Sequence, residues 1–394
     1  MTRNISVYPW FKFFQSLTFW QATWFLFFES HLSASEAILL YAIYDIATTV
    51  FEVPSGYMSD RLGRRLTLIA AGLSAVSAAI LFLVGQGFFH FALAHVILGA
   101  SAAFASGTDS SMLFESLKAE DRQDEIEAAE LRAWRFSFTA LAISALTGGF
   151  MAAQHDLLPY AATACAALIT LALALQFREP IHTRSISHRE NLQDLVQALR
   201  QPTLLWILCL FLVMYVFSHI PYVFGQPFIR EALATAGGDI QAPIVSGSVT
   251  FAMMIVSVAV SLIALRLRRW LGLPKTLLLA FSMQIGLTAA LALSNGLIVV
   301  VLLFFRMVPD SLSQPFIKAR IQPLLRDGTR ATYMSIQSLA GRVLFALTLS
   351  IAAQRAADDV PLPYADLQVI LSVYAGLGVL LFLVLFATAK RAKV

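Results

Sequence analysis

The sequence predicts an all-α membrane protein of twelve spanning helices, and three observations carry that expectation: the composition, the length of the apolar runs and the placement of the cations. Of 394 residues, 58% are hydrophobic and 13% charged, against roughly 25% charge in an ordinary soluble domain, and the mean hydropathy is +0.72. Runs close to the ~20 apolar residues that cross a ~30 Å hydrocarbon layer occupy 9–28, 36–57, 66–86, 90–113, 134–153, 158–177, 203–224, 243–265, 275–293, 297–317, 333–353 and 366–388. With the N-terminus inside, 24 of the 28 Lys and Arg residues fall on the cytoplasmic side, Arg230 and Arg355 lie outside, and Arg306 and Arg342 lie deep within spans. Cations resist translocation, so both termini are expected in the cytoplasm, as in a multi-pass protein of a bacterial inner membrane. The net charge of +4 then reflects topology and not a nucleic-acid surface. Closed β-barrels, the other spanning solution, need alternating strands of about ten residues, which runs such as "VLLFLVLF" do not supply.

Taken in order, the first run opens without a signal-cleavage site and is expected to be retained. It sets Phe13, Leu17, Trp20, Trp24 and Phe27 on one stripe beside Gln21; Trp20 and Gln21 are cavity candidates and the other rings suit lipid or the interface. The second run holds Asp45 and, seven residues on, Glu52. The fourth carries His95 four residues before Gly99, then Asp109 and Glu115 toward its inner end. Cys165 and Cys209 fall in apolar runs as small packing residues, with neither a disulfide frame nor a metal site indicated. Further cavity candidates are His219 and Tyr222 in the seventh run and Arg342 in the eleventh, while Arg306 and Asp310 stand four apart in the tenth.

A polar break of about twenty-five residues after the sixth run divides the chain into 1–178, a linker 179–202, and 203–394. Leu192, Leu195, Val196 and Leu199 repeat at helical spacing there, which suits an amphipathic helix on the membrane surface or a solvated linker helix equally. The halves echo each other: "LGRRLTL" from Leu62 returns as "LGLPKTL" from Leu271, 209 positions later and again between the second and third runs of its half. Two repeats of six helices around a midplane site are the plan of many secondary transporters.

The stretch "EVPSGYMSDRLGRRLTL" concentrates Gly56, Asp60, Arg61, Gly63, Arg64 and Arg65 in the turn after the second run. In that position it closely resembles the signature loop of the major facilitator superfamily. The resemblance implies two pseudo-symmetric six-helix bundles that expose a central cavity to each side in turn. It also implies a charge latch on the cytoplasmic side, with Asp109 or Glu115 as partner. Independently of it, Gly56 allows close helix approach, Asp60 suits the positive end of the third helix, and the arginines alone would also serve topology. The second copy has Arg269 where Asp60 aligns and is expected to have lost its latch. Two other patterns depart from the family: His95 stands where many proton-coupled members carry arginine, and "SALTGG" from Ser144 lacks the glycine-proline step of drug–proton antiporters. "RATYMSIQSLAGR" from Arg330 resembles a large bacterial branch and names no substrate.

Ionisable groups within spans are expensive and mark function by default. Asp45, Glu52, His95, Arg306 and Asp310 are therefore the proton-coupling candidates, with Asp45 protonated, paired across helices with His95, Arg306 or Arg342, or wetted by a cavity. A structural role for the Arg306–Asp310 pair is equally open. The sequence has no phosphate-binding loop ending in Gly-Lys-Ser or Gly-Lys-Thr and no convergent nucleophile and base, so no cofactor and no enzyme activity are expected. The resulting expectation is a monomeric, proton-coupled exporter of a small organic or amphipathic solute, working by alternating access in the bilayer. Uptake of a metabolite or siderophore-like solute is the alternative.

Overall fold

The computed structural model describes residues 1–180, 188–235, 242–294, 301–326, 328–353 and 364–392, and the regular elements among them are all helical. In chain order these are α1 (Thr2–Gln15), α2 (Trp24–His31), α3 (Ala34–Leu62), α4 (Arg64–Val84), α5 (Gly87–Ala105), α6 (Thr108–Lys118), α7 (Ile126–Gln154), α8 (Leu158–Gln176), α9 (His188–Arg200), α10 (Pro202–Thr235), α11 (Ala242–Leu271), α12 (Leu273–Leu293), α13 (Val308–Ile321), α14 (Arg330–Ala353) and α15 (Tyr364–Thr388). Among the described residues, eight segments are long and apolar enough to cross a membrane, and every expected span overlaps a helix.

Local chemistry sets the helix ends. Ser33 and Glu36 form a reciprocal capping box at the start of α3. Gly63, with φ +107°, turns α3 into α4, and Gly272, with φ +81°, turns α11 into α12, a backbone region that favours glycine. The two glycines stand 209 residues apart, as the repeat requires.

Three expected spans are interrupted. The first breaks at 16–23 between α1 and α2, because the turn is tied to its neighbours: the Phe19 amide donates to Thr163 Oγ1 at 3.0 Å, and its carbonyl lies where a Cβ on Gly148 would come within 1.8 Å. The single stripe expected from Phe13 to Phe27 is thus split between two helices. The fourth breaks at Ser106–Gly107, where Gly107 takes φ +70°. In the tenth a turn over 304–307 precedes α13, whose second residue, Pro309, lacks the amide needed to continue a helix from before it. The fourth and tenth spans occupy the same place in the two repeats.

The chain forms two compact units, one of Met1–Gln197, Ile240–Val258 and Lys318–Leu339, the other of Ala198–Asp239, Ala259–Ile317 and Ala340–Val394. The first has a core at each end: Tyr8, Phe11, Leu68, Phe114 and Phe177 at one, Phe27, Phe28, Phe82, Phe91 and Tyr160 at the other. Its α7 and α11 run side by side from Trp134, whose Nε1 donates to Ser257 Oγ at 3.3 Å, to Ala145, whose carbonyl would lie 2.4 Å from a Cβ on Gly247. That seam is ~16 Å long at 1.5 Å per residue. In the second unit α12 packs on α15 and α10, with Phe217 against Phe281 and Tyr374 and Trp206 Nε1 donating to the Leu385 carbonyl at 3.0 Å. Cys165 and Cys209, expected to pack inside, are both exposed, since small residues are as compatible with lipid as with a core.

These contacts predict opposite outcomes for two glycine substitutions. Gly148→Ala drives a methyl into the Phe19 carbonyl and should destabilise by about 1–3 kcal/mol, whereas Gly286→Ala, with nothing among the described residues within 4 Å of the added carbon, should be neutral or stabilise by about 0.4–1 kcal/mol. Thermal unfolding in detergent measures both.

Candidate functional site

Arg64 opens α4 with its side chain fully buried. Its guanidinium pairs with Asp60, four residues earlier on α3, donates to Ser59 Oγ at 3.0 Å, and meets Glu115 of α6 through Nη2 at 2.8 Å and Nε at 3.3 Å. A second buried arginine completes the group. Arg330, the first residue of α14, lies 3.4 Å from Glu115, donates to the carbonyls of Gln322 at 3.0 Å and Leu325 at 2.9 Å, and sits 4.7 Å above the Phe114 ring. Two carboxylates therefore balance two guanidiniums away from water.

Asp60 also reaches beyond Arg64. Its carboxylate accepts from the Thr332 amide at 2.8 Å, Thr332 Oγ1 at 2.6 Å and the Ala331 amide at 3.2 Å, the first free donors of α14. Asp60 is expected from the sequence at the positive end of the third spanning helix; it lies in the last turn of α3, and the helix start it caps is α14. Gly56 and Gly107 permit this approach. A Cβ on Gly56 would lie 2.5 Å from Ser335 Oγ and 2.9 Å from the Ala331 carbonyl, and one on Gly107 would lie 2.9 Å from Met334 Cβ.

Of the two latch partners expected for the signature arginines, Glu115 is in the group and Asp109 is not. Asp109 pairs with Lys12 at 2.7 Å and accepts from the Ser110 amide at 2.6 Å. Beside it Ser110 Oγ donates to buried Glu130 and accepts from Gln322 Nε2 at 3.2 Å. Arg61 lies over the Tyr57 ring at 5.8 Å, and Arg65 is exposed, donating to the Leu175 carbonyl at 3.1 Å. Gly63 is crowded by Glu179, whose two oxygens accept from the Arg64 and Arg65 amides at 2.7 Å each. Among the described residues, a Cβ on Gly272 meets nothing within 4 Å, so the second copy keeps the turn without a contact like that of Glu179.

The coupling candidates divide between the two units, Asp45, Glu52 and His95 in the first and Arg306 and Asp310 in the second. Glu52 is fully buried on α3 and accepts from Ser106 Oγ, at the α5–α6 interruption, at 2.5 Å. Asp45 is half-buried on the same helix. His95 is buried, with Nδ1 2.7 Å from the Phe91 carbonyl and its ring between Phe28 and Phe82. Asp310, in the first turn of α13, is buried beside Arg306, which lies within the 304–307 turn, so the two do not share the single helical face their spacing predicts. Among the cavity candidates, Trp20 stacks on Tyr160 at 6.1 Å inside the first unit, Gln21 is exposed and accepts from Thr18 Oγ1 at 3.1 Å, and His219 stacks on Tyr215 at 4.3 Å. Arg342 is half-buried on α14, and the Tyr222 side chain lies outside the described residues. No group of three His, Cys, Asp or Glu is placed to hold a metal among the described residues.

Sequence reasoning missed Arg330, Thr332 and Gln322, together with Lys12, Glu130 and Glu179. The available signal was "RATYMSIQSLAGR", an arginine and a threonine opening an apolar helix directly after a polar loop.

A sequence profile described as Major Facilitator Superfamily matches residues 10–349. No curated protein matches the chain. Among solved structures, the human organic anion transporter MFSD10 (TETRAN) superposes with a TM-score of 0.76 at 15% identity, covering 98% of this chain and 99% of that one. A bacterial homologue of the iron transporter ferroportin in its outward-facing state gives 0.74 at 14% identity, with 99% of each chain covered. The nucleoside transporter NupG gives 0.65 at 12% identity, covering 97% of this chain and 99% of that one.

Glu115→Gln would leave two buried guanidiniums short of a carboxylate, a loss of about 3–5 kcal/mol. The double variant Glu115→Gln/Arg330→Gln should lose less than the sum of the singles, because the two groups share one contact. A double-mutant cycle on chemical unfolding measures this coupling, and strict additivity would contradict it.

Proposed function

Since the chain belongs to the major facilitator superfamily and is a membrane transporter, not an enzyme, we propose that it exports a small organic or amphipathic solute from the bacterial cytoplasm in exchange for protons. The observation that carries alternating access is the dry group of Asp60, Arg64, Glu115 and Arg330. It joins the signature loop to the start of α14 and acts as the latch on the cytoplasmic side. Assembled, it closes that side; separated, each charge gains water, so the side opens without stranding a buried ion.

Protons supply the driving force in this reading. The proton affinity of a carboxyl follows its burial and its neighbours. Glu52 is bound by Ser106 at an interrupted helix, the kind of element that lines sites in secondary transporters; a shift at the interruption changes its surroundings and lets it load from one side and release to the other. Asp45, two turns toward the other end of α3, is the second carrier. The solute class is supported by a stacked, partly exposed pair, Trp24 and Tyr41 at 5.6 Å, one turn from Asp45. Similar structures include an organic anion transporter, a bacterial homologue of an iron transporter and a nucleoside transporter, so the fold alone sets no substrate.

The test uses inverted membrane vesicles with an acid interior and a panel of fluorescent aromatic cations and anions. Exchange predicts solute-dependent loss of the pH gradient, reduced at least about tenfold in Glu52→Gln at unchanged protein level. Flux indifferent to the sign of the gradient rejects proton coupling, and accumulation in right-side-out vesicles under an inward proton gradient selects uptake. Separately, in a Cys165→Ser/Cys209→Ser background, Asp60→Asn should raise labelling of Ser335→Cys by an impermeant maleimide several-fold.

A further inference from the structure

Where α1 begins, α4 begins and α8 ends, the first unit holds an open cavity of about 480 Å³ whose lining includes Arg3, Arg65, Arg178, Glu179, Leu175 and Phe177. Its lining brings three arginines and one acidic residue together. Arg3 and Arg65 are steadied by neutral oxygens, Gln176 Oε1 at 3.0 Å and the Leu175 carbonyl at 3.1 Å, which position their charge without cancelling it. Glu179 accepts the first two amides of α4, so its charge is set against the positive end of that helix. The Arg178 backbone is fixed by Asn4, a buried side chain that accepts from its amide at 2.9 Å and donates to its carbonyl at 2.8 Å. Leu175 is half exposed on the last apolar turn of α8, at the level where the lipid-facing helix gives way to charge.

We propose that this cavity binds a phosphate group, and that anionic lipid of the surrounding bilayer supplies it. The guanidinium fork matches phosphate oxygens two at a time, and a basic pocket between spanning helices at the membrane surface is where such a headgroup rests. Leu175 receives the start of an acyl chain, which zwitterionic headgroups and soluble esters do not exploit together with the charge.

The test is thermal unfolding of the purified full chain in dodecyl maltoside. Dioleoyl phosphatidylglycerol should raise the midpoint by several degrees and dioleoyl phosphatidylcholine should not, with the shift at least halved in Arg3→Gln/Arg178→Gln and retained in Arg268→Gln/Arg269→Gln. If the double variant folds poorly, native mass spectrometry of retained phosphatidylglycerol on Arg178→Gln replaces it, where an exposed side chain changes and at least half the bound lipid should be lost. Equal shifts with both lipids, or an undiminished response in the variants, overturn the proposal. A full shift with glycerol 3-phosphate or inorganic phosphate alone keeps the phosphate site and overturns its lipid source.

Discussion

A guanidinium without water must be surrounded by acceptors, and Arg64 finds them on segments far apart in the chain. Asp60 is one turn away, Glu115 is 51 residues on, and Glu115 is shared with Arg330, 215 positions further. No pair among these four is complete without the others, because Glu115 divides its charge between two arginines while Asp60 divides its oxygens between an arginine and two backbone amides. A group of this kind has two low-energy conditions, fully assembled and dry or fully separated and hydrated, and partial arrangements leave an ion stranded. Packed interfaces built this way switch and do not flex, which is the property the proposed gate requires.

The internal repeat shows how far two copies of one plan have diverged. Gly63 and Gly272 keep the same positive-φ turn, yet Glu179 lies against Gly63 and no described residue crowds Gly272. Arg269 replaces the carboxylate that in the first copy ties the loop to α14. Turn geometry survives with glycine alone, whereas an ion group needs every member, so the turn outlasts the charges. Both repeats also interrupt the fourth helix just before an Asp-Ser pair, Asp109–Ser110 and Asp310–Ser311.

Much of the fold was legible because lipid imposes a coarse rule: long apolar runs become helices, and the positions of the runs and the turns at Gly63 and Gly272 follow directly. The interruptions were not legible at 16–23, since the polar partners that hold Phe19 come from Thr163 and the Gly148 face, more than 120 positions away. At the site, the loop identified Asp60 and Arg64, and charge in the fourth run identified Glu115. The role of Arg330 is not legible in the sequence, because its partners are carbonyls and a carboxylate that only the folded chain brings near. The family resemblance allows either Asp109 or Glu115 as latch partner and does not choose between them; Lys12, in the first run, pairs with Asp109.

The first turn of α14 has a further property. Its opening amides are satisfied by Asp60, a side chain borrowed from α3. Helix starts whose donors lack such a partner fray, and a single cap is worth roughly 1 kcal/mol. Parting α3 from α14 would therefore cost the first turn of α14 about 1 kcal/mol beyond the ion pairs, and the same carboxylate that fastens two segments also steadies the start of one of them.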